Sequence, residues 1–316
     1  MPAPIVVAGP NLSLDRTISI DRLKVGHVHR SSASDARGGG KGVNVVRALS
    51  CVGVNAEVLG FAGGHTGQAV TGLLGEEGIS ARAVTVEGES RSCLTVLAAG
   101  GVTVFNESGV RIDDSSWRQF ENLVRSALDR DGVFVCSGSF PPGAPEDGAA
   151  RLIEIARARG CRTICDVAGA FLEHALEANP DVVTPNLAEA TEVLEGSTGE
   201  PVEPGPHAVE RGAKWARALV DGGAKAAVVT LSAAGAVSCY ARTVETWPPL
   251  PVNVVNPVGA GDCLVAGLAW GLSTGGGVRE SIPTALAMAA ASCETYFAGR
   301  IDIDRFRELK AALPSA

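Results

Sequence analysis

The chain has 316 residues, a net charge of −8, 46% hydrophobic residues and only 4% aromatic ones. That length allows one large α/β domain or two small ones, and an acidic chain with no long basic run argues against nucleic acid or an anionic membrane surface as partner. No apolar run reaches membrane-spanning length, no leader pattern opens the chain, and the eight cysteines, without a CxxC pair, read as reduced thiols of a cytoplasmic protein rather than a metal cluster.

Ile5 to Gly9 is an apolar, β-branched run and predicts a buried strand. Asp15 follows it, near the strand end where open α/β sheets bind ligands; a solvated turn aspartate is the plainer alternative. Thr17–Ile20 and His27–Ala36 alternate and predict exposed strands. Then comes Arg37-Gly38-Gly39-Gly40-Lys41-Gly42-Val43-Asn44, a glycine run opening a helix. Consecutive glycines cost chain entropy and point to a close approach. No Ser or Thr follows Lys41, so this is not a Walker A loop.

Glu57–Phe61 predicts a second core strand and Thr66–Glu77 a helix. Ala83–Val86, Cys93–Ala98 and Val102–Asn106 predict a hairpin-like group. With the two early strands they would form a small separate sheet, a lid or dimer clasp, with Arg91 at its edge. From Asp113 the pattern becomes regular βα. Trp117, Phe120, Val124 and Leu128 keep a helical period within 115–129. Strands are expected at 133–136, 161–167 and 181–184, with helices at 146–159 and 170–178. Asn186 and Glu189 share a helix face. They suit either a Mg²⁺ held through waters or a capping box. Residues 197–206 read as a Pro/Gly-rich loop. A helix at 207–220, strands at 226–231 and 236–240, a crossing at 244–257 and helices at about 260–273, 278–297 and 302–311 complete the chain. Strands alternating with helices predict a doubly wound, mostly parallel sheet flanked by helices.

The stretch Asn256-Pro257-Val258-Gly259-Ala260-Gly261-Asp262 precedes an apolar helix. Helix starts carry free N–H groups and the positive end of the dipole, a cradle for a phosphate. Asp262 in that cradle is either a helix-start carboxylate or a base for an attacking hydroxyl.

Six segments occur in one order: NLSLDRT, LKVGHVHR, GGGKGVNVVRAL, SGSFPPGAP, TPNLAEATEV and NPVGAGDCLVAG. In these the chain resembles the PfkB (ribokinase-like) sugar kinases over essentially its full length, most of all the 1-phosphofructokinase and tagatose-6-phosphate kinase branch. The resemblance implies a single ribokinase-like domain over 1–316, with lid strands inserted at about 12–36 and 83–107. It implies Asp262 as catalytic base and Gly259, Ala260 and Gly261 as anion hole. It places Asp15, Gly39, Lys41, Asn44, Arg91 and Ser139 at the sugar or its phosphate. Thr230, Ser232, Gly235 and Asn186 fall to the nucleotide, and Asn186 and Glu189 to Mg²⁺. The implied reaction is ATP-dependent phosphorylation of a hexose phosphate, of the fructose 1-phosphate or tagatose 6-phosphate type, by a homodimer clasped through the lid.

Some positions depart from the branch. Cys93 stands where Asn is typical, Thr95 and Thr184 where Lys is frequent, and Thr230-Leu231-Ser232 where Ser-Leu-Gly is common. The changes at Cys93 and Thr95 thin the grip on a substrate phosphate. A kinase of a free sugar or nucleoside, or a non-catalytic sugar-binding protein, therefore stands beside the hexose-phosphate reading.

Overall fold

In chain order the computed structural model, which describes residues 2–31, 33–196 and 207–313, begins with β1 (Ile5–Asn11), β2 (Ser13–Ser19), β3 (Ala33–Gly39), α1 (Lys41–Cys51), β4 (Ala56–Gly63), α2 (Gly64–Glu76), β5 (Ser80–Val86), β6 (Arg91–Ala98) and β7 (Gly101–Asn106). It continues with α3 (Asp114–Ala127), β8 (Val133–Ser137), α4 (Gly148–Arg157), β9 (Arg162–Asp166), α5 (Ala170–Glu177), β10 (Val182–Val183) and α6 (Leu187–Glu195). Last come α7 (Ala208–Asp221), β11 (Ala226–Thr230), β12 (Ala236–Tyr240), β13 (Thr243–Trp247), α8 (Ala260–Ser273), α9 (Val278–Cys293) and α10 (Ile303–Ala311). The loop expected at 197–206 lies outside the described residues.

Among the described residues nine strands form one sheet in the order β13-β12-β11-β10-β9-β8-β1-β4-β5. All its pairs are parallel except the two that β12 makes. Successive residues of a strand face opposite sides, and the core divides accordingly. Val6, Ala8, Phe134 and Cys136 pack under α3, α4, α5 and α7. Ile5, Val7, Val133 and Val135 pack under α1, α2, α8, α9 and α10. Helices thus cover both faces, which a buried parallel sheet requires. Strand order reverses between β1 and β8, the switch point beyond whose strand ends ligands bind in such sheets. Among the described residues no helix is long and apolar enough to cross a membrane.

The second sheet, among the same described residues, has four strands, β3-β2-β6-β7. It differs from expectation in membership and in one strand's bounds. Ala83–Val86 belongs to β5, which pairs in parallel with β4 at the edge of the large sheet. The strand expected at 27–36 begins only at Ala33, and it runs on into Gly38 and Gly39. The crossing expected at 244–257 opens with β13, a hairpin partner of β12.

α8 and α9 cross where Gly267 meets Ala285. A Cβ at Gly267 would lie 2.4 Å from the Ala285 Cα. The clash is with backbone, so no rotamer relieves it. Gly267→Ala is expected to cost about 1–3 kcal/mol, the usual cost of overpacking, read as a lower midpoint in urea.

Candidate active site

Beyond the C-terminal ends of β1, β8, β9 and β11 lies a cleft of about 1800 Å³ between the large sheet and the small one. Asp15, Lys41, Asn44, Arg91, Ser139, Asn186, Glu189, Thr230, Ser232, Gly235 and Gly259 to Asp262 all line it. These residues come from segments up to 247 positions apart (262 − 15) and meet only through the fold. Gly39 does not line the cleft. A Cβ there would lie 2.0 Å from the Asp15 Cγ, so the missing side chain is what lets that carboxylate lie over β3.

The two glycine-rich helix starts face each other. Gly259 caps α8 with φ of 85°, a left-handed conformation that glycine adopts without strain. The first turn that follows carries Gly261 and Asp262, with the N–H groups that a helix start leaves without intrahelical acceptors. Asp262 is only 4% exposed. Its Oδ2 accepts a hydrogen bond of 2.8 Å from Asn44 Nδ2, on the other helix start. Burial pushes the Asp262 carboxyl up to about 7. The charge of Lys41 and the Asn44 hydrogen bond oppose that rise, while Asp166 and Asp15 add to it.

Lys41 points at carboxylates. Its Nζ lies 3.6 Å from Asp166 Oδ2 and 3.5 Å from Glu189 Oε1. Asp166 first, then Glu189 and Asp262, hold its ammonium more firmly protonated than an ordinary lysine, against the cost of burial. Asp166 was not singled out in the sequence. It ends β9, is 4% exposed, and accepts hydrogen bonds from Ser137 Oγ at 3.0 Å and Thr184 Oγ1 at 3.2 Å. An acid at the C-terminal end of a core strand is the signal that could have found it. Thr184, one of the departures, is thereby a support for this carboxylate.

Asn186 and Glu189 form the capping box. Asn186 Oδ1 accepts from the Glu189 N–H, and Glu189 Oε2 accepts from the Asn186 N–H, both at 2.9 Å. Glu189 Oε1 remains turned toward Lys41. Capping and cation contact therefore coexist in one side chain.

At the other end of the cleft, Ser13 Oγ donates to Asp15 Oδ1 at 2.6 Å. Burial nonetheless raises the Asp15 carboxyl above its usual range. The Arg91 guanidinium donates to the Asn11 carbonyl at 3.0 and 3.2 Å and to the Glu107 carbonyl at 3.4 Å. Asn11, also overlooked in the sequence, donates to Ser139 Oγ at 3.1 Å and joins the end of β1 to that loop. Cys93 stands beside Asp15 in the β2–β6 register. Gly235 packs against Pro248 and Pro249, and Leu250, Val252, Leu286 and Ala290 add apolar lining to the cleft. The cleft thus combines charged side chains at Asp15, Lys41 and Arg91, the buried Asp262 carboxylate in the first turn of α8, and apolar lining suited to a flat ring.

The family model for pfkB family carbohydrate kinases matches residues 11–302. Phosphofructokinase-2 from Escherichia coli is similar throughout. Its structure with potassium is 28% identical, with a TM-score of 0.86 over 98% of each chain. Its structure with fructose-6-phosphate is 27% identical, with a TM-score of 0.85 and the same coverage. Ribokinase from Arabidopsis thaliana, solved with ribose and ATP, shares the fold at 20% identity, with a TM-score of 0.75 over 98% of this chain and 99% of that one.

Proposed function

The chain belongs to the pfkB family of carbohydrate kinases, phosphotransferases with an alcohol acceptor, and on that footing we propose that it transfers the γ-phosphoryl group of ATP to a free primary hydroxyl of a hexose monophosphate. The acceptor is of the fructose 1-phosphate or tagatose 6-phosphate type, and the products are ADP and a hexose bisphosphate. The observation that carries this reading is the Asn44–Asp262 hydrogen bond, which joins the two helix starts inside one cleft.

Asp262 takes the acceptor's hydroxyl proton as that oxygen bonds to the γ-phosphorus and the bond to the ADP oxygen breaks. The N–H groups of Gly259, Ala260 and Gly261, with the dipole of α8, receive the charge of the transferring group. Lys41 lies beside the carboxylates and so serves the transferring phosphoryl rather than the phosphate already on the sugar. Asp15, Asn44 and Ser139 orient the sugar, with Gly39 giving Asp15 its room, and Arg91 holds its phosphate. Thr230, Ser232, Gly235 and Asn186 flank the nucleotide.

Among the described residues no three metal-ligating side chains are grouped together. Mg²⁺ is held in kinases by one or two carboxylates and the substrate phosphates. Glu189 and Asp166, hard oxygen donors that already draw the Lys41 ammonium, fit that role, with Asn186 beside them. Bound there, Mg²⁺ would neutralise nucleotide phosphate charge.

Val25 and Val28 project into solvent from the loop between β2 and β3, and Phe105 is exposed on β7. Apolar residues exposed on this sheet and on its β2–β3 loop support a homodimer clasped through it. Eight unpaired thiols suit the reducing cytoplasm.

A free sugar is the second reading. It is favoured by the engagement of the Arg91 N–H groups on backbone carbonyls and by Thr95 in place of the branch's lysine. Arg91→Ala separates the two. Losing a charged hydrogen-bonding group is worth about 1.5–3 kcal/mol, so KM for a hexose phosphate should rise about 10–100-fold. An unchanged KM would leave only the free-sugar reading.

A further inference from the structure

One buried cation has no part in the scheme above. Arg47 lies on α1 and is 4% exposed. Its Nε and Nη2 donate to the two carboxylate oxygens of Glu77 at 2.8 and 3.0 Å, and Nη2 also donates to the Gly38 carbonyl. Its remaining arm, Nη1, donates to Asn44 Oδ1 at 2.9 Å. Asn44 is three residues earlier on the same helix face, and it is the residue that donates to Asp262. Glu77 is partly exposed and also lies 3.5 Å from Arg37, but the Arg47 guanidinium itself is buried, and taking that charge out of water offsets much of what the pair gains.

Donor chemistry gives the direction of the chain of contacts. A guanidinium has only donors, and an ionised carboxylate only accepts. An asparagine amide has one end of each kind and could turn either toward Asp262. With Arg47 on its oxygen, only the NH₂ can face the carboxylate. The opposite orientation would set two acceptors against each other and leave a buried guanidinium N–H unanswered.

We propose that Arg47 is a positioning residue for phosphoryl transfer: anchored by Glu77, it fixes the Asn44 amide so that Nδ2 holds one oxygen of Asp262 and the other is left for the acceptor hydroxyl. This rests on Asp262 being the base. Lysine cannot take the place of Arg47, because one ammonium does not span the Glu77 carboxylate and the Asn44 oxygen as the planar fork does. Asn44 thereby acts at two points, touching the base and carrying the constraint from Glu77.

The test is a double-mutant cycle on the full-length protein. Arg47→Met with Glu77→Gln removes both charges of the pair together and leaves Arg37, 3.5 Å from Glu77, beside a neutral amide. It is measured alone and combined with Asn44→Ala, by kcat, KM for ATP and thermal melting. The pair should fold with one cooperative transition. Its kcat should fall at least about 10-fold, as misplaced catalytic groups do, with KM for ATP within about twofold. The combined variant should be no slower than Asn44→Ala alone. A merely structural role would reduce the active fraction and multiply the two losses. Multiplied losses, or a kcat for the pair within twofold of the parent, would overturn the proposal. If the pair melts below assay temperature, Arg47→Lys replaces it under the same criteria, since it keeps the charge against Glu77 and loses the fork. A still-active Asp262→Asn would instead remove the base reading itself, so the two failures are distinguishable.

Discussion

Asp262→Asn should lower kcat by about 10²–10⁴-fold, the range that positioned general bases contribute, while ATP binding stays nearly intact. Asparagine keeps the shape and can still accept the Asn44 hydrogen bond, so only the proton-accepting function is lost. The same change should make the protein more stable at pH 8. The Asp262 carboxyl titrates near 7 in the folded chain against an ordinary 3.8, because burial disfavours its charge. The folded state therefore holds this proton more tightly than the unfolded one. The resulting cost to stability is absent below 3.8, grows between 3.8 and about 7, and is complete above that. Removing the carboxylate removes the cost. Asp262→Asn should melt above the parent at pH 8 and level with it near pH 4, which scanning calorimetry at the two pH values will read. A catalytic loss accompanied by a stability gain marks a site where function is kept at the expense of the fold.

Activity should also carry the Asp262 titration directly. The ionised form is the competent one, so kcat/KM should climb from pH 6 to pH 8 with a midpoint near 7. Lys41 lowers this pKa from within the cleft, whereas Asp166 raises it. Lys41→Met should therefore shift the rising limb to higher pH, and the carboxylate of Asp166, no longer neutralised, pushes the same way. The pH–rate profile of Lys41→Met beside that of the parent checks this. A limb that stays in place, or moves down, would separate Lys41 from the base.

Much of this site was legible because its parts are written locally. A glycine run abutting an apolar helical run describes a helix start, and both such starts are present. The capping box at Asn186 and Glu189 is likewise a local pattern, written by two residues three apart, and the structure forms it. What sequence reasoning missed has no local signature. Asp166 is a single acid at a strand end, and it meets Lys41 from 125 positions away (166 − 41). Arg47 looks like any polar residue inside a helix, and its partner Glu77 lies beyond β4 at the end of α2.

The errors in the fold are also physical. β5 alternates between buried and exposed residues because it is the edge of the large sheet. An edge strand with one covered face reads like a strand of the small sheet. β13 escaped notice because its hairpin turns through Ala241 and Arg242, at φ of 47° and 66°. Such a turn ordinarily announces itself by Asn-Gly or Asp-Gly, and here neither is present.

ADP release with ATP, measured across fructose 1-phosphate, fructose 6-phosphate, tagatose 6-phosphate, the corresponding free sugars and a nucleoside, bears most directly on the assignment. Turnover should be found with a hexose monophosphate, at a kcat/KM about 10-fold or more above every unphosphorylated acceptor, the worth of one charged contact. Release that is greatest with a free sugar or nucleoside, or absent with every acceptor, would contradict it.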